Sequence, residues 1–122
     1  MLTENSTFEA FLDSAKGKKI VGFGASNHVA EIKAVLAEHK LQIDYIVDND
    51  FWKWGKNYCN IPVRSPYNLQ GLQDEIVVLI CTMRPFAIEK QLKKIGITDV
   101  YAYCLWIDFI FNNIGRGTQV FF

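Results

Sequence analysis

Apolar positions along the chain follow two alternating spacings. Phe8, Phe11, Leu12 and Ala15 recur at helical intervals behind Ser6-Thr7-Phe8-Glu9. That tetrad has capping-box spacing, with Ser6 as the N-cap and Glu9 reaching back to it. Gly17 closes this helix, predicted at about 6–16. Ile20-Val21-Gly22-Phe23 reads as a short buried strand. Val29, Ile32, Val35 and Leu36 then form one stripe, with Glu31, Lys33 and Glu38 away from it, which predicts an amphipathic helix of about three turns. A second strand over 43–47 ends in Asp48-Asn49-Asp50. A loop containing Gly and Asn leads to the short extended Ile61-Pro62-Val63. The continuous run Ile76-Val77-Val78-Leu79-Ile80 is what a strand covered on both faces requires. Ile88, Leu92 and Ile95 mark a further helix stopped by Gly96, and 100–103 a last strand. Helix, β-α-β, an extended piece and β-α-β together predict a parallel α/β sheet with right-handed crossovers.

Composition narrows the picture. The 122 residues suit one domain spanning 1–122, and half of them are hydrophobic, enough for a real core and too many for a disordered chain. Lys+Arg and Asp+Glu are both 13, so the basic surplus on which general nucleic-acid binding depends is missing. The N-terminal stretch lacks a basic region followed by an apolar run, and no apolar stretch approaches the ~20 residues of a membrane helix. Cys59, Cys81 and Cys104 are odd in number and widely spaced, as thiols of a reducing compartment are. A cytoplasmic protein is expected. Seven of 17 aromatics fall from Tyr101 onward, including Trp106, Phe109, Phe111, Phe121 and Phe122. The segment 104–122 is therefore expected either to pack on its own sheet or to serve an oligomer interface.

The chemistry centres on Gly22-Phe23-Gly24-Ala25-Ser26-Asn27-His28. A strand feeding a glycine turn that opens a helix lets backbone N–H groups approach an anion at the positive helix end. Gly22 is expected to permit the tight turn and Gly24 the close approach, with Ser26 capping the helix or bonding a phosphate oxygen. Asn27 stands where the dinucleotide fingerprint has glycine. Asp48 ends the second strand 21 residues beyond Asn27, where nucleotide-binding folds place an acid for ribose hydroxyls. Thr82 and Arg84 follow the 76–80 strand on the side where such sheets bind ligands, and Arg84 is the candidate phosphate or carboxylate partner. Trp52 and Trp54, beside Lys53 and Lys56, either stack on a base or sugar while the lysines meet phosphate or, the preferred reading, cover a core edge. His28 and His39 lie roughly 16 Å apart along one helix, too far to share a metal. Catalytic residues are not identifiable: no metal, nucleophile-elbow or Cys-x-x-Cys motif occurs.

The succession Lys18-Lys19-Ile20-Val21-Gly22-Phe23-Gly24-Ala25-Ser26, Tyr45-Ile46-Val47-Asp48-Asn49-Asp50, Lys53-Trp54-Gly55-Lys56, Ile61-Pro62-Val63-Arg64-Ser65-Pro66 and the 76–80 run resembles one module. It is similar to the small Rossmann-like domain of polysaccharide-biosynthesis proteins, such as nucleotide-sugar epimerases/dehydratases, sugar acyltransferases and associated methyltransferases. The resemblance covers about 18–103. It implies an α/β, three-layer Rossmann-like domain with a mainly parallel sheet, binding a nucleotide or nucleotide sugar through Gly22, Gly24, Ser26, Asn27 and Asp48. It also implies a module that works beside a separate catalytic partner. A lesser resemblance, through Gly-Ala-Ser, is to CoA-binding domains. The alternatives are a CoA- or NAD(P)-binding module, and a non-catalytic interaction domain docking through its aromatic C-terminal segment.

Overall fold

The structure is a computed structural model that describes residue 2 and residues 7–106. Helix α1 (Phe8–Ala15) is capped by Thr7, whose Oγ1 accepts from the Ala10 N–H at 3.1 Å. Ser6, the expected cap, lies outside the described residues. The elements that follow are β1 (Lys19–Phe23), α2 (Val29–Glu38), β2 (Tyr45–Val47), a 3-10 turn (Phe51–Lys53), β3 (Asn57–Tyr58) and β4 (Ile61–Arg64). A second 3-10 turn (Pro66–Leu69), β5 (Ile76–Ile80), α3 (Pro85–Lys94) and β6 (Val100–Ala102) come next, and residues 104–106 are helical.

The six strands form one sheet in the order β3-β4-β2-β1-β5-β6. The pairs β1–β2, β1–β5, β2–β4 and β5–β6 are parallel, and β3–β4 is antiparallel. All five β5 residues are buried because β1 and β6 flank the strand and alternate side chains enter different cores. Val77 and Leu79 join Phe11 of α1 and Val29, Ile32 and Leu36 of α2. Val78 and Ile80 join Phe23, Leu69 and Leu92 of α3. Ser14 and Lys18 both donate to the Asp99 carboxylate, Lys18 at 2.8 Å, which fastens α1 and the following turn to the start of β6.

Two findings correct the expected three-layer Rossmann-like domain with a mainly parallel sheet. The sheet is mixed, because the chain reverses at Cys59 and Asn60, with φ of 52° and 64°, and β3 folds back antiparallel on the edge. The β2-to-β4 connection also carries no α-helix. Asp50 caps a three-residue 3-10 turn there, and the stretch that follows has no apolar periodicity to bury. The protein is a small mixed α/β fold in which α1, α2 and α3 are only 8 to 10 residues long. No helix among them is long and apolar enough to cross a membrane. Of the aromatic segment, Trp106 is buried against Phe8, Phe11 and Tyr103, so it is core and not a free contact surface. Phe109, Phe111, Phe121 and Phe122 lie outside the described residues.

Candidate functional site

The parallel register sets one edge of the site. Phe23 aligns with Val47 and Ile80, and Ile80 with Ala102. The next residues, Gly24, Asp48, Cys81 and Tyr103, therefore leave the sheet at one level. This is the carboxyl edge, where open α/β sheets bind ligands.

Gly22 does not make the turn. It lies inside β1, where a Cβ would come 3.4 Å from the Cys81 Sγ and 3.5 Å from Ile43 and Ile46, so its role is close packing. Gly24 makes the turn, at φ +106°. A Cβ there would lie 2.5 Å from Cγ2 of Thr82, so the close approach that glycine permits is to Thr82. Thr82 Oγ1 is the one buried side-chain N or O atom among the described residues without a hydrogen-bond partner.

Asp48 locks this turn. Its Oδ2 accepts from the Ala25 N–H and its Oδ1 from the Asp50 N–H, both at 2.8 Å. The Lys53 ammonium lies 3.7 Å from Oδ2 and donates to the Ala25 carbonyl at 3.5 Å. Ser26 Oγ donates to the Cys81 carbonyl at 2.6 Å and accepts from the His28 N–H at 3.3 Å, which makes it the helix-entry brace. The Gly24 and Val29 N–H groups are also spent inside the chain. The backbone donors of Ser26 and Asn27 have no acceptor among the described residues, and Asn27 is exposed. Most backbone donors of the glycine turn are thus spent inside the chain.

Arg84 is exposed at the N-cap of α3 without a side-chain capping bond. The structure brings Gly24, Ser26, Asp48 and Thr82 together and leaves Arg84 in solvent. His28 and His39 cap opposite ends of α2. His28 Nδ1 is 3.8 Å from Glu31 Oε2, and its ring faces Tyr103. Burial, then the Glu31 carboxylate, hold the Tyr103 hydroxyl proton well above the ordinary tyrosine range. Burial likewise pushes the Cys81 thiol up to about 12, which leaves it an inert core group. Among the described residues no three His, Cys, Asp or Glu side chains cluster to hold a metal ion.

The tryptophans do not cover the core as expected. Trp52 is 71% exposed, and Phe51, packed on it at 4.8 Å, is 58% exposed. Trp54 turns its indole N–H onto the Asp48 carbonyl at 2.6 Å. The sequence places Lys53 just past Asp48 without revealing its pairing with that carboxylate, and it gives no sign of Gln91. Only the Ser65-Pro66 turn signal hinted that Tyr67 would stand in solvent.

A family model described as C2185-like, N-terminal, matches residues 16–100. The chain belongs to that family. No curated protein and no solved structure matches it. The matched stretch holds the whole carboxyl-edge cluster except Tyr103, and its description names no ligand and no reaction.

Proposed function

We propose that the protein is a binding module for a nucleotide or nucleotide sugar, working in the cytoplasm beside a separate catalytic partner in surface-polysaccharide synthesis. One observation carries the reading: Asp48 clamps the Gly24–Ala25 turn beneath the Lys53 ammonium, with the Ser26 and Asn27 donors open next to it. A carboxylate keeps lone pairs for ribose hydroxyls while holding two backbone donors, and a lysine beside open N–H groups suits phosphate. The resemblance to polysaccharide-biosynthesis modules supports the ligand class. Thermal-shift panels of nucleotide sugars, NAD(P) and CoA test it. A ligand at 100 times its Kd adds about 2.7 kcal/mol of stability. Lys53→Ala should keep the fold and lose most of that gain. Absence of stabilisation by every member of the panel overturns the reading. Steady turnover by the purified chain that vanishes in His28→Ala would instead make it a catalyst.

A second reading, an interaction module, draws on exposed Met83, Phe86 and Leu105 around an apolar groove of about 390 Å³. Sedimentation at micromolar concentration distinguishes it. A monomer in both the wild type and a Phe86→Ser, Leu105→Ser variant speaks against self-association.

A further inference from the structure

A groove of about 390 Å³ opens beside Asp48, between the Phe51–Lys53 turn, the Pro66–Leu69 turn and α3. Its walls include Phe51, Trp54 and Tyr67, with Asn49, Gln91 and Lys94 at its polar margin. Tyr67 is 78% exposed, an unusual state for so large a ring. We infer that this groove takes the planar heterocyclic base of the ligand, stacked on Tyr67 and Trp54. The inference rests on the nucleotide reading of the Asp48 turn and assigns it a second half.

Position is the first reason. Asn49 follows Asp48 in the chain, and the Trp54 indole is tied to the Asp48 carbonyl, so the groove begins where the ribose acid ends. Phosphate at Ser26 and Asn27, ribose at Asp48 and base in the groove then lie in chemical order. The second reason is what the walls offer. With its N–H spent on Asp48, Trp54 has only apolar ring surface left to offer, as Phe51 has. Asn49 and Gln91 donate to each other, at 2.9 and 2.8 Å. Each amide keeps one N–H and acceptor capacity, so the pair shows a fixed donor–acceptor edge. Such an edge complements the ring edge of a base. Lys94 is the groove's lone charge, so an uncharged planar group suits it better than a second phosphate.

The test uses UMP, CMP, AMP and GMP, their free nucleosides, inorganic pyrophosphate and methyl glycosides as probes, read by Trp fluorescence and calorimetry. At least one nucleotide should bind and lose about tenfold in affinity in Tyr67→Ala, the scale of one base–aromatic stack. The same variant should leave pyrophosphate binding unchanged. Phe51→Ala gives a second, independent lesion should Tyr67→Ala fold poorly. Nucleotides that bind with no loss in either variant overturn the groove assignment while the Asp48 reading stands. Nucleosides that bind in a Tyr67-dependent way without pyrophosphate binding support the groove and remove the phosphate half. Methyl glycosides that bind in a Tyr67-dependent way, with nucleosides inert, make the groove a sugar platform and overturn the base. No binding by any probe at millimolar concentration overturns both.

Discussion

Gly24 combines a φ of +106° with a Cβ direction that ends 2.5 Å from Cγ2 of Thr82. Gly24→Ala should therefore cost about 2–4 kcal/mol, from the disfavoured backbone region and the overpacking together. Thr82→Ser removes that methyl and should recover part of the loss. Urea denaturation of the double-mutant cycle checks the coupling, and strictly additive effects would exclude the contact. A branched side chain at Gly24 damages the turn before it reports on any ligand, so Lys53 is the cleaner probe. Thr82→Val replaces a buried, unpartnered hydroxyl by a methyl group. It should be neutral or stabilising by up to ~1 kcal/mol in the free protein, because the buried donor costs more than it returns. A clear loss in Tm would mean that the hydroxyl has a partner. Asp48 is the opposite case. Asp48→Asn offers one oxygen to two N–H donors, so about 1–3 kcal/mol should be lost, read from the same urea curves.

Each element depends on a few such side chains. Helix α1 is eight residues long, too short to stand alone, and it holds to the sheet by burying Phe11 and Ala15. Phe11 packs edge-on to Tyr101 at 5.6 Å and against Trp106 at 5.3 Å. Phe11→Ala should cost about 3–5 kcal/mol, measured by chemical denaturation, as a full aromatic deletion from a closed core does. Phe8 is only partly buried, so Phe8→Ala should cost clearly less. The β2-to-β4 connection is held otherwise, by the Asp50 cap, the Trp54–Asp48 bond and the Asn49–Gln91 amides. These bonds lie near the surface, and they leave the rings of that loop in solvent.

At the scale of the whole molecule, the acids that burial shifts among the described residues are thiol and phenol groups. Burial raises the Cys81 thiol to about 12 from an ordinary 9.0, and it raises Tyr45, Tyr101 and Tyr103 as well. The native state keeps these protons while the unfolded chain releases them. Stability is therefore whole below pH 9 and falls as pH climbs from about 9 toward 12. Urea midpoints between pH 7 and 10.5 should decline, and the decline should be shallower in Cys81→Ala. A flat profile would contradict the burial of these groups. Thiol labelling at pH 8 should modify Cys81 only after unfolding.

The sequence by itself determined where most strands and helices lie. Hydrophobic spacing depends on local geometry, which is why the β1, β5 and α3 segments and the 48–50 strand end were legible. It also determined the glycine turn and the acid that follows it, since both are marked by residue types with few alternative uses. Pairing was decided only by tertiary structure. The antiparallel β3 edge has two residues and no pattern of its own, and it exists because β4 offers it a partner. Register decided that Gly22 packs against Cys81 while Gly24 turns, although the two glycines look interchangeable in the chain. The same register spent the Ala25 N–H on Asp48 and left those of Ser26 and Asn27 open. Hydrogen-bond satisfaction is a property of neighbours far apart in sequence, so no spacing rule could reveal it. The groove beside Asp48 arises likewise, from Asn49, Tyr67 and Gln91, which meet only when β2, the Pro66–Leu69 turn and α3 are packed together.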